Sequence, residues 1–355
     1  MTTTTTHHTA AEFADRLFGA ALGLIDVLAV YMGDRLGWYR ALAANGPATP
    51  AELVARAGGS ERYAREWLEQ QANSGILALA EDGRFALSPA AAEVLTDPES
   101  LSYLAPLARM LGTAAVQLPA LLDAYGTGGG VGWAQFGVDM RESQADMNRP
   151  WFLHQLADTL AGVPDVDAVL RRPTARIADI GCGAGWSSIA LARAYPESSV
   201  EGWDVDAPSI ELARSNALAG GPTDRLAFST ADASDLAESS YDALFAFECV
   251  HDMPRPVEVL AAMRRAVRPG GAVVVMDEAV ADTFAPPGDD LEKLMYGFSL
   301  LVCLPDGMSS QPSAGTGTVM RFDTLRAYAR EAGFSEVEIL PTEEFGFWRF
   351  YRLLP

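Results

Sequence analysis

The sequence predicts an α/β chain, with a mainly parallel sheet in its C-terminal half and a mainly helical domain before it. Three observations predict this. The apolar run Arg176–Ile180 leads through Gly181, Gly183 and Gly185 directly into a helical run, Trp186 to Tyr195. Further apolar runs at 199–206, 226–230, 241–247 and 272–278 each reach a polar or acidic residue at the same end. Upstream, Phe13, Leu17, Ala20, Ala21, Leu24 and Leu28 recur at helical rather than alternating spacing.

The glycines define where a ligand sits. Without a Cβ they adopt backbone angles closed to other residues and let a ligand approach the chain. The helix that follows offers unpaired N–H groups at its start. The next run ends in Asp204 and Asp206, about twenty residues on, the offset of a carboxylate that grips ribose hydroxyls. The third run continues into Asp232 and Ala233, and the fourth into Glu248, Cys249, Val250, His251 and Asp252. Open parallel sheets bind ligands at the carboxyl ends of their strands, so these residues are expected to share one site.

Four motifs now become specific: Asp-x-Gly-x-Gly-x-Gly at 179–185, Gly-x-Asp at 202–204, Ala-Asp-Ala at 231–233 and Arg-x-Val-Arg-Pro-Gly-Gly at 265–271. From about Arg176 to its end, the chain resembles the class I S-adenosylmethionine-dependent methyltransferases. Its glycine spacing departs from the dinucleotide fingerprint, whose third glycine lies three residues after the second. Glu-Cys-Val-His-Asp-Met-x-Arg-Pro at 248–256 is similar to actinobacterial winged-helix methyltransferases. The resemblance implies a seven-stranded Rossmann-like sheet whose last strand is antiparallel, S-adenosylmethionine as cofactor and S-adenosylhomocysteine as product. It also implies roles: Gly181, Gly183 and Gly185 line methionine and ribose, Asp204 holds the ribose hydroxyls with Asp206 beside it, and Asp232 meets the adenine amine. Ala233 packs there or hydrogen-bonds through its backbone, and Asp179 lies near the methionyl amine, directly or through water.

Composition narrows the partners. Of 355 residues, 49% are hydrophobic and 21% charged, as in globular domains, but the net charge is -21. Phosphate backbones and anionic lipid repel such a chain, so neither nucleic acid nor membrane is an expected partner. Three cysteines without metal-ligand spacing suit a reducing, cytoplasmic setting. The threonine-rich start lacks the features of a signal peptide, and no run is read as long enough and free enough of charge to span a membrane.

In chain order, residues 1–9 read as a disordered tail and 10–100 as a winged-helix-like dimerisation domain. Its first helix carries a broad apolar stripe that must be covered by something, and the resemblance to winged-helix methyltransferases implies a homodimer through this domain. Pro50 starts a short helix through Ala57, Gly58-Gly59-Ser60 makes a turn, and a second helix runs from Glu61 to Asn73. A hairpin follows, with Asp82-Gly83 as a two-residue turn. The second helix mixes Arg62 and Arg65 with Glu61, Glu66 and Glu69, which argues against a DNA-reading face. Residues 101–172 read as a helical linker and active-site roof, broken by a flexible glycine cluster at 126–132. The methyltransferase domain is placed at 173–355, with an inserted helix from Leu291 to Val302 and a possible lid at 306–317.

A sulfonium methyl needs mainly a nucleophile held in line, with a base only where that nucleophile carries a tightly held proton. Outside the tail the histidines are His154 and His251. His251 with Asp252, and secondarily His154, are the candidate catalytic groups; Glu248 either meets the cofactor or orients His251. Tyr31, Arg141, Trp151, Met295, Phe298 and Met308 are the candidate contacts to a small-molecule substrate. His251 next to Asp252, with Asp277 and Glu278 at the end of the next strand, raises a metal-assisted route, but no dense ligand cluster is evident and no metal is assigned. The expected reaction is methyl transfer to oxygen, nitrogen or carbon of a small metabolite. Alternatives are a non-methylating cyclisation or rearrangement by the same fold, and a winged-helix regulator that senses a ligand.

Overall fold

The computed structural model describes residues 9–343 and 345–355; most of the expected tail lies outside them. The chain divides after Gly112 into two compact units. This division falls inside the segment 101–172.

In the first unit, α1 (Ala10–Arg35) opens on a capping box between Thr9 and Glu12. It is followed by α2 (Trp38–Asn45), α3 (Pro50–Ala57) and α4 (Glu61–Asn73). The hairpin β1 (Leu77–Leu79) and β2 (Phe85–Leu87) pairs Leu77 with Leu87, and α5 (Pro89–Thr96) follows. Trp38, Tyr39, Leu42, Leu53, Trp67, Leu68, Leu77 and Phe85 form its core. The hairpin turn is one residue longer than expected. Ala80 N–H bonds to Arg84, leaving 81–83 as a three-residue loop whose Gly83 has φ 79°, the conformation that such loops require.

Helix α1 also corrects the reading of hydropathy. An 18-residue window within it has mean hydropathy 1.6 and meets the length and composition of a membrane span, with only 11% of that window buried. Scattered charges at Asp15, Arg16 and Asp26 hide the run in the sequence. Phe13, Leu17, Phe18, Leu22, Leu24 and Ile25 are all exposed.

Helix α6 (Ala105–Val116) runs across the division, and α7 (Leu118–Thr127), α8 (Trp133–His154), α9 (Leu156–Ala161) and α10 (Pro164–Leu170) follow. Then come β3 (Arg176–Ile180), α11 (Trp186–Ala194), β4 (Ser199–Asp204), α12 (Ala207–Gly220), β5 (Leu226–Thr230) and β6 (Tyr241–Phe247). The chain ends with α13 (Pro256–Ala266), β7 (Val267–Glu278), α14 (Asp290–Phe298), α15 (Leu304–Met308), α16 (Phe322–Glu331), β8 (Glu336–Ile339) and β9 (Trp348–Leu354). The seven-stranded sheet has the order β5-β4-β3-β6-β7-β9-β8. β9 alone is antiparallel to its neighbours.

Alternation along the strands makes two cores. Ile177, Phe245, Val274 and Phe350 face one side, where α8, α9 and α10 supply Phe152, Leu156 and Leu170. Ala178, Leu244, Val273 and Leu353 face the other, covered by Leu260, Met263 and Leu325. Burial on both faces is why β6 reads as an apolar run from Ala243 to Phe247.

Two local expectations change. The glycine cluster is close-packed at Gly130, where a Cβ would lie 2.2 Å from the Ser309 nitrogen and 2.3 Å from the Pro305 oxygen, whereas one on Gly126 or Gly128 would meet nothing within 4 Å. Val131 N–H donates to that same oxygen at 2.9 Å. The inserted helix is interrupted by a π-helical turn, Ser299–Cys303, between α14 and α15, a feature frequent at functional sites.

Candidate active site

At the end of β3, Gly181, Gly183 and Gly185 have φ of 69°, 51° and 79°. Their crowding differs. A Cβ on Gly181 would lie 2.7 Å from Cys249 Sγ and one on Gly185 2.7 Å from the Phe228 ring, whereas a Cβ on Gly183 would meet nothing within 4 Å. Gly183 therefore faces open space. Its N–H donates to Asp204 Oδ2 at 2.9 Å, and Asp206 N–H donates to Asp204 Oδ1 at 2.8 Å.

Asp179 is fully buried and its Oδ2 accepts from Ser187 and Ser188, at 2.6 and 2.5 Å. Burial pushes its pKa up to about 6. Its Oδ1 is buried without a hydrogen-bond partner, an acceptor left over for a ligand donor. At the end of β5, Asp232 Oδ1 accepts from Ser234 N–H at 2.8 Å and Ala233 is buried. An open glycine position, a ribose-type carboxylate and a spare buried acceptor fit an adenosyl amino acid.

One face of α8 bridges these strand ends. Arg141 grips Asp206 in a bidentate pair, at 2.6 and 2.9 Å. Seven residues along, about 10 Å, Asn148 donates to Glu248 Oε2 at 2.5 Å, joined by Gln144 at 3.2 Å. Positions 141, 144 and 148 share a helix face. The helix start is held by Asp306, whose carboxylate accepts Trp133 N–H at 2.7 Å; burial pushes the Asp306 pKa up to about 7. Glu248 sits at φ 53°, and burial pushes its pKa up to about 7. Strained backbone and a perturbed acid together mark functional positions.

His251 is 2% exposed and ringed by acids. Its Nδ1 lies 2.8 Å from Asp277 Oδ1 and 3.2 Å from Glu278 Oε2, and its Nε2 lies 3.2 Å from Asp252 Oδ1. Burial lowers the imidazole pKa, but the three carboxylates outweigh it and hold the value well above normal. Burial raises Glu278, while His251 brings Asp277 below its usual range against the effect of burial. The structure thus assembles a ligand-like cluster that sequence spacing did not reveal. His251, Asp277 and Glu278, and likewise His251, Asp252 and Cys303, have atoms within 4.8 Å of one another.

The remaining expected residues are dispersed. His154 is exposed in the last turn of α8, some 240° around the helix from Asn148 by about 100° per residue, so it does not join His251. Arg141 is engaged by Asp206 rather than open to substrate. Trp151 packs on Phe345 and Trp348, Met295 is buried and Phe298 half-buried, and Met308 Sδ approaches Gly315. Tyr31 belongs to the first unit, where its ring lies beside Gly112. Sequence reasoning missed Asn148, Gln144 and Asp306, and left Asp277 and Glu278 unassigned although their place at the end of β7 was a signal.

Comparison with known proteins matches residues 177–271 to the family described as methyltransferase domain, and residues 22–97 to the Rv2258c-like winged HTH domain. Over 181 residues the chain is 29% identical to 27-O-demethylrifamycin SV methyltransferase of Amycolatopsis mediterranei, covering 50% of this chain and 59% of that one. Over 110 residues it is 36% identical to methyltransferase GfsG of Streptomyces halstedii, covering 30% and 39%. The chain spans about half the length of the curated relatives it matches. The solved mitomycin 7-O-methyltransferase MmcR superposes with TM-score 0.73 at 21% identity, over 97% of this chain and 98% of that one. That likeness extends the shared fold along nearly the whole chain. Motifs, fold and matches together give the chain a methyltransferase domain at 177–271 preceded by a winged helix-turn-helix domain at 22–97.

Proposed function

We propose that the protein transfers a methyl group from S-adenosylmethionine to a hydroxyl of a small metabolite, with His251 as the group that takes the proton. The observation that carries this is Gly183, open on the side a Cβ would fill while its N–H is tied to Asp204. Asp232 and Ala233 would hold adenine, Asp204 the ribose hydroxyls, and the glycines with Asp179 Oδ1 the methionyl end. This order follows the strands β5, β4 and β3. Glu248 and His251, at the end of the next strand, β6, would then lie beside the transferred methyl. S-adenosylmethionine supplies a methyl already activated on positively charged sulfur.

Asp277 anchors His251 Nδ1, so Nε2 is the atom that receives the acceptor's proton. A hydroxyl acceptor is favoured because the relatives named above include a 27-O- and a 7-O-methyltransferase. The substrates that those names give also support an acceptor from secondary metabolism. Segment 113–172 acts as the roof, with Arg141 and Asn148 closing α8 over the cofactor. The exposed apolar face of α1 supports a homodimer through the N-terminal domain, and free cysteines support a reducing compartment. A crystal structure with S-adenosylhomocysteine tests the placement. Ribose hydroxyls on Asp204 are expected; a ribose seated elsewhere rejects these roles.

A further inference from the structure

The ends of β6 and β7 gather more acidic side chains than one imidazole can neutralise. Glu248, Asp252, Asp277 and Glu278 stand about one imidazole, that of His251. Asp277 and Glu278 are essentially buried, and Asp277 Oδ2 and Glu278 Oε2 have no hydrogen-bond partner. His251 is the cation that Asp252, Asp277 and Glu278 share. Of the arginines on α8, Arg141 is matched by Asp206 and Arg149 lies over the Trp186 ring. A protonated His251 offsets one carboxylate, so the others must hold protons or face a cation brought in by a ligand.

The position of this group decides which ligand that is. Given the cofactor placement proposed above, on which this inference rests, the adenosine lies over β5 and β4 and the methionine over β3. The reacting sulfur then faces β6. The glycine turn and the end of β6 are in contact, since Cys249 Sγ reaches the Ile180 oxygen at 3.3 Å. Glu248 immediately precedes that cysteine, and Gln144 and Asn148 fix its carboxylate from above.

We propose that Glu248, with the acids around His251, is the counter-charge to the cationic sulfur of the cofactor, so that the protein binds the charged cofactor in preference to its neutral thioether product. A charge a few ångströms from a carboxylate in a site of reduced dielectric alters affinity by about tenfold or more. Loss of that charge on transfer loosens the product. Weak inhibition by S-adenosylhomocysteine is the functional consequence.

The test is calorimetric binding of three probes to the full chain near neutral pH: S-adenosylmethionine, S-adenosylhomocysteine, and sinefungin, which carries an ammonium where the sulfonium stands. The wild type is expected to bind sinefungin and S-adenosylmethionine about tenfold or more tighter than S-adenosylhomocysteine. Glu248→Gln should bring that ratio close to one while retaining S-adenosylhomocysteine binding. Asp252→Asn, at the more exposed edge of the group, should lower the ratio in part and serves if Glu248→Gln does not fold. A wild-type ratio near one, or a ratio that both variants leave intact, overturns the inference. Failure of all three probes to bind would instead remove the cofactor reading itself, and this inference with it.

Discussion

His251 is held at Nδ1 by two buried carboxylates and approached at Nε2 by a third. That environment sets its chemistry. A ring whose pKa is raised is charged at lower pH and takes a proton only after losing its own, so turnover should climb as pH rises through that value. Replacing Asp277 by Asn removes a carboxylate that raises it and should shift the rise to lower pH; an unmoved profile would separate His251 from the rate. His251→Ala should cut turnover by about 10²-fold or more while S-adenosylhomocysteine affinity stays within a few-fold. Unchanged turnover would reject the base. At this scale the glycine motif, Asp204 and His251 were legible, because each is a residue type that its local turn or chemistry demands. The Asp277 partner and the Arg141–Asp206 pair were not, since both depend on which strands and helices become neighbours.

Helix α8 illustrates what patterns of one element reveal and conceal. Its three site-facing residues recur at helical spacing, but so do many solvated polar faces. Only the strand order shows that they reach both Asp206 and Glu248. If α8 closes the site, Arg141→Ala should release S-adenosylhomocysteine about tenfold faster in stopped-flow displacement. Arg141→Lys should not restore the rate, because a point charge lacks the bidentate fork. An unchanged rate in Arg141→Ala would show that the clasp does not gate release. The glycine cluster was read as freedom where the structure needs close approach. Gly130→Ala should therefore lower stability by about 1–3 kcal/mol in urea unfolding, and a neutral result would contradict that packing. The π-helical turn leaves no sequence signature, as its residues are ordinary helix formers.

Across the whole molecule, the parallel sheet was legible because fully buried strands read as apolar runs that end in acids. The extent of α1's apolar surface was less so, as its few charges interrupt the run without removing the face. The ionisation of the site also has a global consequence. Asp179, Glu248, Glu278 and Asp306 have raised pKa values. The stability they lend is full below the unfolded value near about 4 and is lost as pH rises through the folded value. His251 acts with the same sign, from about 6.5 upward. Acids with lowered values, such as Asp206 and Asp232, contribute their change below about pH 4. The thermal midpoint of the cofactor-free protein should therefore fall between about pH 5 and 8, and a rising midpoint would contradict the assigned shifts.

The claim beneath all of this is an adenosyl site between the glycine turn and Asp204. Calorimetric titration of the wild type and Asp204→Ala with S-adenosylhomocysteine tests it most directly. One site per chain is expected in the wild type, weakened about tenfold or more in the variant. No binding by well-folded wild-type protein, or equal binding by the two, would contradict it.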